Sequence, residues 1–488
     1  MVAAGLLAPA QAPAQLPTLG DTSEMTSGSE RKLGERIARE LYRDADYIDD
    51  AVLDDYVLTI WKRLLAAARA RGELTAELDE RFAWQVLLGK DRTVNAFAVP
   101  GGWLGLNLGL ISVTANRDEL ASVLAHELSH VTQRHMSRLM TQQSQQAPWM
   151  LAAMLLGVLA ASKNPDAANA VIASGQALAM QGQLNFSRDM EREADRIGYG
   201  VASQAGFAPQ GFVTMFEKLQ QASRLNDNGS FPYLRTHPMT TERMADMQTR
   251  HQLDDKATAP EAPDVEHALM AARARVLSNP GVDALRGYVA EADTAATATS
   301  GQARQAAALY AGALASAKLR NYAGATALAG KLAALNLSDR PAARWVRLLR
   351  AEIALQAGDA ARAASLLDPA APERSELMLW AETAVQGGHA ADAAQRLQTW
   401  VALHPRDAGA WQLLAGAYSA QGQTVRAVRA EAEVQAVHFD YQAALDRFRA
   451  AQDMLRKSRS AGDHFEASII DTRARQVESL LREQALQR

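Results

Sequence analysis

The chain has 488 residues, of which 48% are hydrophobic and 22% charged, so it can bury a core and wholesale disorder is excluded. Its 51 Lys and Arg nearly balance 55 Asp and Glu, which leaves no bulk basic excess for nucleic-acid binding. With no cysteine in the sequence, thiol nucleophiles and Cys-ligated metals are excluded, and any metal must be held by His, Asp or Glu. At about 150 residues per domain, the length predicts about three domains, or two with one of them large.

The first residues are small and apolar, and they lead to Ala12-Pro13-Ala14, an A-x-A pattern that precedes Gln15. The basic start of a secretory signal is missing, and the apolar stretch is short. We interpret residues 1–14 as the remnant of a signal peptide. The alternative is a flexible Ala- and Pro-rich tail.

Helical spacing is evident over residues 22–70, and most clearly over 30–43. Residues 94–111 then alternate apolar with small or polar residues around Pro100-Gly101-Gly102, which predicts a hairpin of two short strands. Asn116 followed by Glu119 resembles a capping box, so we expect a helix to begin at Arg117. It should continue to Met140, because no Pro or Gly interrupts it.

Two apolar segments follow, over residues 147–161 and 167–180. The first is shorter than the roughly 20 residues needed to cross a bilayer. It is either a buried helix or a helix that lies on a membrane surface, and for residues 148–161 both interpretations stay open.

A polar, Pro-containing stretch over residues 254–264 predicts a linker, and Ala-rich helices with short turns follow it. Turn residues recur there every 30 to 37 positions, namely Asn321, Gly358, Gly388 and Gly422. Five further positions fit tetratricopeptide spacing: Pro405, Trp411, Ala415, Tyr418 and Ala427. We therefore predict an all-α, tetratricopeptide-like solenoid over residues 265–488, with another helical repeat type as the alternative.

The strongest chemical signal is the sequence HELSH at residues 126–130. His126 and His130 are four residues apart, so one helix face presents both imidazoles to a single Zn²⁺. Glu127 is adjacent and can act as the general base on a water at that metal. The alternative, two polar residues on a solvated helix face, fits poorly with the apolar residues on either side.

A third ligand is needed. The HExxHxxGxxH pattern would require Gly at position 133 and His at 136, but the chain has Gln133 and Met136, and His135 comes one residue early. A downstream acid remains, and Glu191 and Asp195 lie four residues apart, so that one carboxylate could bind zinc and the other could hold a ligand histidine. By composition alone, a solvated helix of mixed charge is the alternative.

HELSH followed by EREAD resembles the zinc metallopeptidase family that includes the CAAX prenyl proteases and the HtpX heat-shock protease. The resemblance implies an α+β zincin-like domain, placed at residues 15–253, with one Zn²⁺ per chain. It also implies Glu191 as third ligand and Asp195 as the residue supporting a ligand. The run NAFAVPGG resembles the family's edge strand beside the cleft, which we assign to residues 102–107 and which can pair with an extended peptide.

His237, Pro238 and Arg243 match a His-Pro and a following Arg of that family. The implied roles leave two options open. His237 and Arg243 could stabilise a developing oxyanion catalytically. His237 could instead be a fourth metal ligand that plugs the site. Without the resemblance, a His-Pro turn at a helix start would be the interpretation.

The whole layout resembles periplasmic members of the family that act on stalled or misassembled outer-membrane β-barrel proteins. This implies a zinc endopeptidase with some chaperone-like function, repeats that contact the barrel assembly machinery, peripheral membrane contact and no nucleic-acid partner. One alternative is a latent protease that serves mainly as a repeat-based scaffold. Another is a cytosolic zinc protease with an interaction domain.

Overall fold

The computed structural model describes residues 25–142, 188–224, 230–253, 264–295, 301–457 and 464–486. The predicted signal remnant, both apolar segments and all of the predicted linker except Asp264 lie outside these ranges. Within the described ranges, no helix combines the length and the apolar character that a membrane span requires.

The first helices are α1 (Ser27–Arg43), α2 (Ala51–Ala70) and α3 (Ala76–Arg81). Each has a polar side chain that caps its first turn. At α2, Asp50 accepts a hydrogen bond from the backbone N–H of Leu53 at 3.0 Å. The predicted helical stretch 22–70 is thus two helices over its described part, separated by the short strand β1 (Tyr47–Ile48).

The sheet has the strand order β1-β2-β4-β3, with β2 at Gln85–Gly89, β3 at Ala96–Val99 and β4 at Trp103–Asn107. β3 and β4 form the predicted hairpin, turning through Gly101 and Gly102, whose φ angles are +75° and +89°.

The edge-strand prediction for residues 102–107 is wrong. β4 pairs in parallel with β2 on one side and antiparallel with β3 on the other, and all five of its residues are buried. A strand bonded on both sides has no free backbone groups to offer a peptide. The edge strand beside the following helices is therefore β3.

After the short helix α4 (Leu108–Val113) comes α5 (Arg117–Thr132), which begins as predicted. Asn116 Oδ1 accepts from the N–H of Glu119 at 2.9 Å, and Glu119 Oε2 accepts from the N–H of Ala115 at 2.7 Å. The expected continuation to Met140 is wrong, because Arg134 takes a left-handed φ of +52° and a new helix, α6 (His135–Gln142), begins after it.

Four more helices complete the N-terminal half within the described ranges: α7 (Arg188–Gln204), α8 (Gln210–Arg224), α9 (Tyr233–Thr236) and α10 (Thr241–Leu253). α5 is central, and it packs against α7, α8 and β3. The backbones of α5 and α7 approach closely at Gly198, where an added Cβ would lie 3.1 Å from backbone atoms of Ala125 and His126.

The described C-terminal half is helical, and helices that follow one another along the chain pack together in pairs. The helices are α11 (Val265–Ser278), α12 (Val282–Ala295), α13 (Gln302–Lys318), α14 (Tyr322–Ala333), α15 (Arg340–Gln356), α16 (Ala360–Ser365), α17 (Arg374–Gln386), α18 (Ala390–Leu403), α19 (Ala408–Ala420), α20 (Thr424–Val437), α21 (Tyr441–Lys457) and α22 (His464–Ala485). This confirms the predicted fold class, an α+β metallopeptidase domain followed by an all-α solenoid of tetratricopeptide-like type.

The recurrent turns of the solenoid use left-handed residues. Gly358, Gly388 and Gly422 have φ angles of +83°, +84° and +70°. In the earliest of the four repeat turns predicted from the sequence, Arg320 has this conformation with φ +59°, whereas Asn321 caps α14 by accepting from the N–H of Gly324. The turn position assigned to Asn321 is thus one residue too late.

One hydrophobic core contains buried residues from Val52 to Leu367 and so crosses the predicted domain boundary. α11 packs on α4 and α2, and buried His267 lies 2.6 Å from the hydroxyl of Tyr56 through its Nδ1. Arg273 of α11 forms a bidentate ion pair with Asp50. The solenoid is therefore anchored to α2 and α4 of the N-terminal half, and the boundary at residues 254–264 stays a prediction.

Candidate metal centre

The two histidines of HELSH lie on one buried face of α5. The Nε2 atoms of His126 and His130 are 3.0 Å apart. Glu191, from α7, places its carboxylate between them, with Oε2 3.5 Å from His126 Nε2 and Oε1 3.4 Å from His130 Nε2. The predicted triad is brought together because α7 packs along α5.

His237, in the turn after α9, brings a fourth donor. Its Nδ1 is 3.3 Å from His126 Nε2 and 3.1 Å from Glu191 Oε1, and ligand atoms of all four residues lie within 4.8 Å of one another. Zinc bonds nitrogen at about 2.0–2.1 Å in a tetrahedron, which separates its ligand atoms by about 3.3 Å. The separations given above, 3.0 to 3.5 Å, are close to that edge length, so these residues fit a zinc ion.

Behind the donors, Asp195 and Arg243 form a buried pair. Asp195 Oδ1 lies 2.9 Å from His126 Nδ1, as expected of a residue that orients a ligand imidazole. Arg243 donates to both oxygens of Asp195, at 2.7 and 2.8 Å, and its Nη1 lies 2.9 Å from both Glu191 Oε2 and the carbonyl of Pro238. Because its guanidinium is occupied by these partners, the arrangement favours a positioning role, and the oxyanion role of Arg243 stays a prediction.

The electrostatics of the centre favour a bound cation. Burial alone would lower the pKa of His126, but Asp195 and Glu191 raise it to about 10. Burial lowers the pKa of His130 well below its ordinary value. Burial would raise the pKa of Glu191, yet the neighbouring histidines, His237 first, hold it well below its ordinary value. Glu191 is thus held ionised and His130 neutral, which are the forms of a carboxylate and an imidazole that bind a metal ion.

Glu127 lies next to the donor group, close to His237. Its Oε2 accepts a hydrogen bond from the backbone N–H of Ala98 on β3 at 2.9 Å, and its Oε1 lies 3.3 Å from His237 Nε2. The side chain is fully buried. It therefore stands beside the donor group without contributing to it, as a general base must.

Three further residues of the centre were not predicted. His135 Nδ1 is 2.9 Å from His130 Nδ1, and its Nε2 is 3.1 Å from Glu193 Oε2. The ring of Tyr233 stacks on His237 with centroids 4.5 Å apart. Glu193 lies within the EREAD motif and His135 follows HELSH by five residues, and that proximity was the available signal. For Tyr233 the sequence carries none.

The family model described as Peptidase family M48 matches residues 60–251, the range that contains the whole donor group. A Yersinia pestis relative named "Beta-barrel assembly-enhancing protease" is 31% identical over 430 residues, which are 86% of this chain and 84% of the relative. The chain belongs to peptidase family M48.

Other M48 relatives match over a shorter stretch. A protein of the same name from Escherichia coli K12 is 34% identical over 250 residues, or 50% of this chain and 49% of the relative. A Vibrio cholerae relative with a name of the same kind is 34% identical over 279 residues, which are 56% of this chain and 54% of the relative. These two alignments cover about half the length of each relative.

Proposed function

We propose that this M48 chain is a zinc-dependent endopeptidase whose resting state is closed by His237. The observation that carries the proposal is the convergence of His126, His130 and Glu191 on one point, with Glu127 beside it. The family membership supports peptide hydrolysis as the reaction.

The donor set supports zinc, since two imidazoles and a carboxylate with one further position are typical of catalytic zinc sites. When bound, zinc supplies Lewis acidity at the scissile carbonyl. Asp195 holds the imidazole of His126 by its second nitrogen, and Arg243 holds the carboxylates of Asp195 and Glu191. Their contribution is to keep the donors in place before substrate arrives.

Glu127 is proposed to take the proton from the attacking water and to deliver it to the leaving amine. Its Oε2 is fixed by the N–H of Ala98, which leaves Oε1 directed to the His237 side of the centre. A peptide that adds to the edge of β3, where the Ala98 N–H is bonded to Glu127, would pass beside this carboxylate. The scissile carbonyl would then be held within reach of both the base and the donor group.

His237 is proposed to be the plug of this site in the resting state. Its Nδ1 lies 3.3 Å from His126 Nε2 and 3.1 Å from Glu191 Oε1, so this imidazole would hold the metal as a fourth ligand, and its Nε2 faces Glu127. While it stays there, the position needed by water is blocked, because a catalytic zinc keeps one position open. If the turn moved away, the same imidazole would be available to donate to an oxyanion.

The substrate and location are proposed from the names of the relatives. Those names support outer-membrane β-barrel proteins as substrates and a periplasmic location. We propose that the substrates are misassembled or stalled barrel proteins. We further propose that the solenoid grips these proteins or the assembly machinery, with a chaperone-like contribution to barrel assembly, and that residues 148–161 touch the membrane surface.

The test compares the native chain with Glu127→Gln, using an unfolded outer-membrane barrel protein as substrate. The variant should keep stoichiometric zinc and the native fold but lose cleavage, since an amide cannot accept the proton. Glu242→Gln is the matched control, because Glu242 is exposed and pairs only at the surface with Arg192. Equal cleavage by Glu127→Gln, or a native chain without zinc, would overturn the proposal.

A second candidate is supported by the closed geometry at His237: a latent protease that acts mainly as a binding protein. In that case Glu127→Gln would bind the unfolded barrel protein as tightly as the native chain and would replace it fully in a barrel-assembly assay. Failure of Glu127→Gln in that assay would favour the enzyme.

A further inference from the structure

A chain of three side chains lies behind His130, on the side away from the donor group. His130 Nδ1 and His135 Nδ1 are 2.9 Å apart, and His135 Nε2 is 3.1 Å from Glu193 Oε2. The same carboxylate oxygen accepts from Arg138 Nη1 at 2.8 Å. His135 is fully buried, whereas Glu193 reaches the surface.

The direction of the hydrogen bonds follows from the position of His130. Its Nε2 faces the donor group, so in the metal-bound state that nitrogen must be unprotonated and Nδ1 must carry the proton. His130 Nδ1–H then donates to His135 Nδ1. His135 consequently carries its proton on Nε2 and donates to Glu193. One tautomer of each ring satisfies the whole chain.

We propose that His135 and Glu193 are positioning residues that hold His130 in its metal-binding tautomer, as Asp195 holds His126. The proposal rests on the proposed zinc site. α7 would then supply the ligand Glu191 and also two carboxylates that support the ligand histidines of α5. Asp195 supports the Nδ1 of His126, and Glu193 supports the Nδ1 of His130 through His135. Asp195 acts directly, and Glu193 acts through an intervening imidazole.

The helix break at Arg134 supports this role. In an uninterrupted helix of 3.6 residues per turn, His135 would lie about 140° around the axis from His130, and the two side chains could not face each other. The left-handed Arg134 turns the chain so that His135 returns to His130. A non-glycine residue in that conformation is costly and persists where its surroundings require it. The surroundings here include the Arg134 ion pair with Glu30 at 2.9 Å.

The test uses two nearly isosteric variants of the full chain, His135→Asn and His135→Leu. The amide oxygen of Asn takes the place of Nδ1 and can accept from His130, whereas Leu fills the space and accepts nothing. Zinc affinity, measured by competition with a chelator, should fall by about 10–100-fold in His135→Leu and stay near native in His135→Asn. Glu193→Gln keeps an acceptor but loses the charge, so its loss should be intermediate.

A spectroscopic readout separates positioning from packing. In the cobalt-substituted protein, the exchangeable Nδ1 proton of His130 should give a shifted proton resonance in the native chain and in His135→Asn. That resonance should be lost to exchange in His135→Leu. Asp189→Asn is the control, since this exposed carboxylate is on the same helix and pairs with Arg192.

Equal zinc affinities in His135→Leu and His135→Asn, whether native or reduced, would overturn this inference while leaving the proposed function intact. A native chain that binds no zinc would overturn the proposed function, and this inference with it.

Discussion

The carboxylate of Glu127 is hydrogen-bonded to the backbone N–H of Ala98, with 2.9 Å between Glu127 Oε2 and the amide nitrogen. Ala98 belongs to β3, the edge strand next to α5. The general base of the proposed reaction and the strand that would receive a peptide are therefore directly connected. A peptide that displaced this contact, or paired beside it, would meet the base as it bound.

Replacing His237 by alanine should raise proteolysis if the imidazole closes the site. A contact of about 1–1.4 kcal/mol that holds the closed state changes its population about five- to tenfold when lost. The measurement is kcat/KM on an unfolded barrel protein, with His251→Ala as a control that removes a histidine outside the centre. Unchanged or lower activity would count against the plug, and a lower value would favour the oxyanion role.

Asp195→Asn should weaken zinc binding by about 10–100-fold, because it removes the charge that orients His126 and balances Arg243. The metal-free protein should also lose about 3 kcal/mol of unfolding free energy, the low end for a broken buried pair, since Arg243 keeps its contact with Glu191. Asp246→Asn is the control, because its pair with Arg250 is surface-exposed and should matter by less than about 1 kcal/mol. Similar losses in both variants would contradict this account.

Gly198→Ala should lower activity, whereas Gly200→Ala on the same helix should not. At Gly198 an added Cβ meets the backbone of Ala125 and His126 at 3.1 Å, so α7 and α5 must move apart by a few tenths of an ångström. That shift separates Glu191 from the histidines and should cost on the order of tenfold in kcat/KM. At Gly200 the Cβ meets the end of the flexible Arg71 side chain, which can move away. Equal kcat/KM for the two variants would show that the helix contact is not critical.

Local sequence patterns predicted much of the centre. The i,i+4 spacing of HELSH and the capping box at Asn116 each depend on a few consecutive residues, and both agree with the structure. The edge strand was misassigned because β4 becomes central only through its parallel pairing with β2, a long-range contact. The break at Arg134 was missed because it uses neither Gly nor Pro, and with it the contact from His135 to His130.

Asp50 anchors the solenoid to the N-terminal half, because it caps α2 and forms a bidentate pair with Arg273 of α11. Asp50→Asn keeps the capping oxygen but loses the charge, so it isolates the ion pair. Because Glu352 remains 2.8 Å from Arg273, we expect the low end of the usual loss for a buried pair, about 3 kcal/mol of unfolding free energy at neutral pH.

The stability that the Asp50–Arg273 pair contributes should depend on pH. Burial alone would raise the pKa of Asp50, but the charge and hydrogen bonds of Arg273 lower it below its ordinary value of 3.8. The folded protein thus binds the proton less readily than the unfolded chain, so the pair stabilises the fold above about pH 4 and loses this contribution as the pH falls through the folded pKa. In denaturant unfolding, the free energy of unfolding of Asp50→Asn should be lower than that of the native chain. The whole difference should be present at about pH 7, and it should be smaller at about pH 3. Asp79→Asn, which breaks the exposed pair with Arg69, should show a small difference at either pH. A difference for Asp50→Asn that did not change with pH would assign its effect to packing rather than to charge.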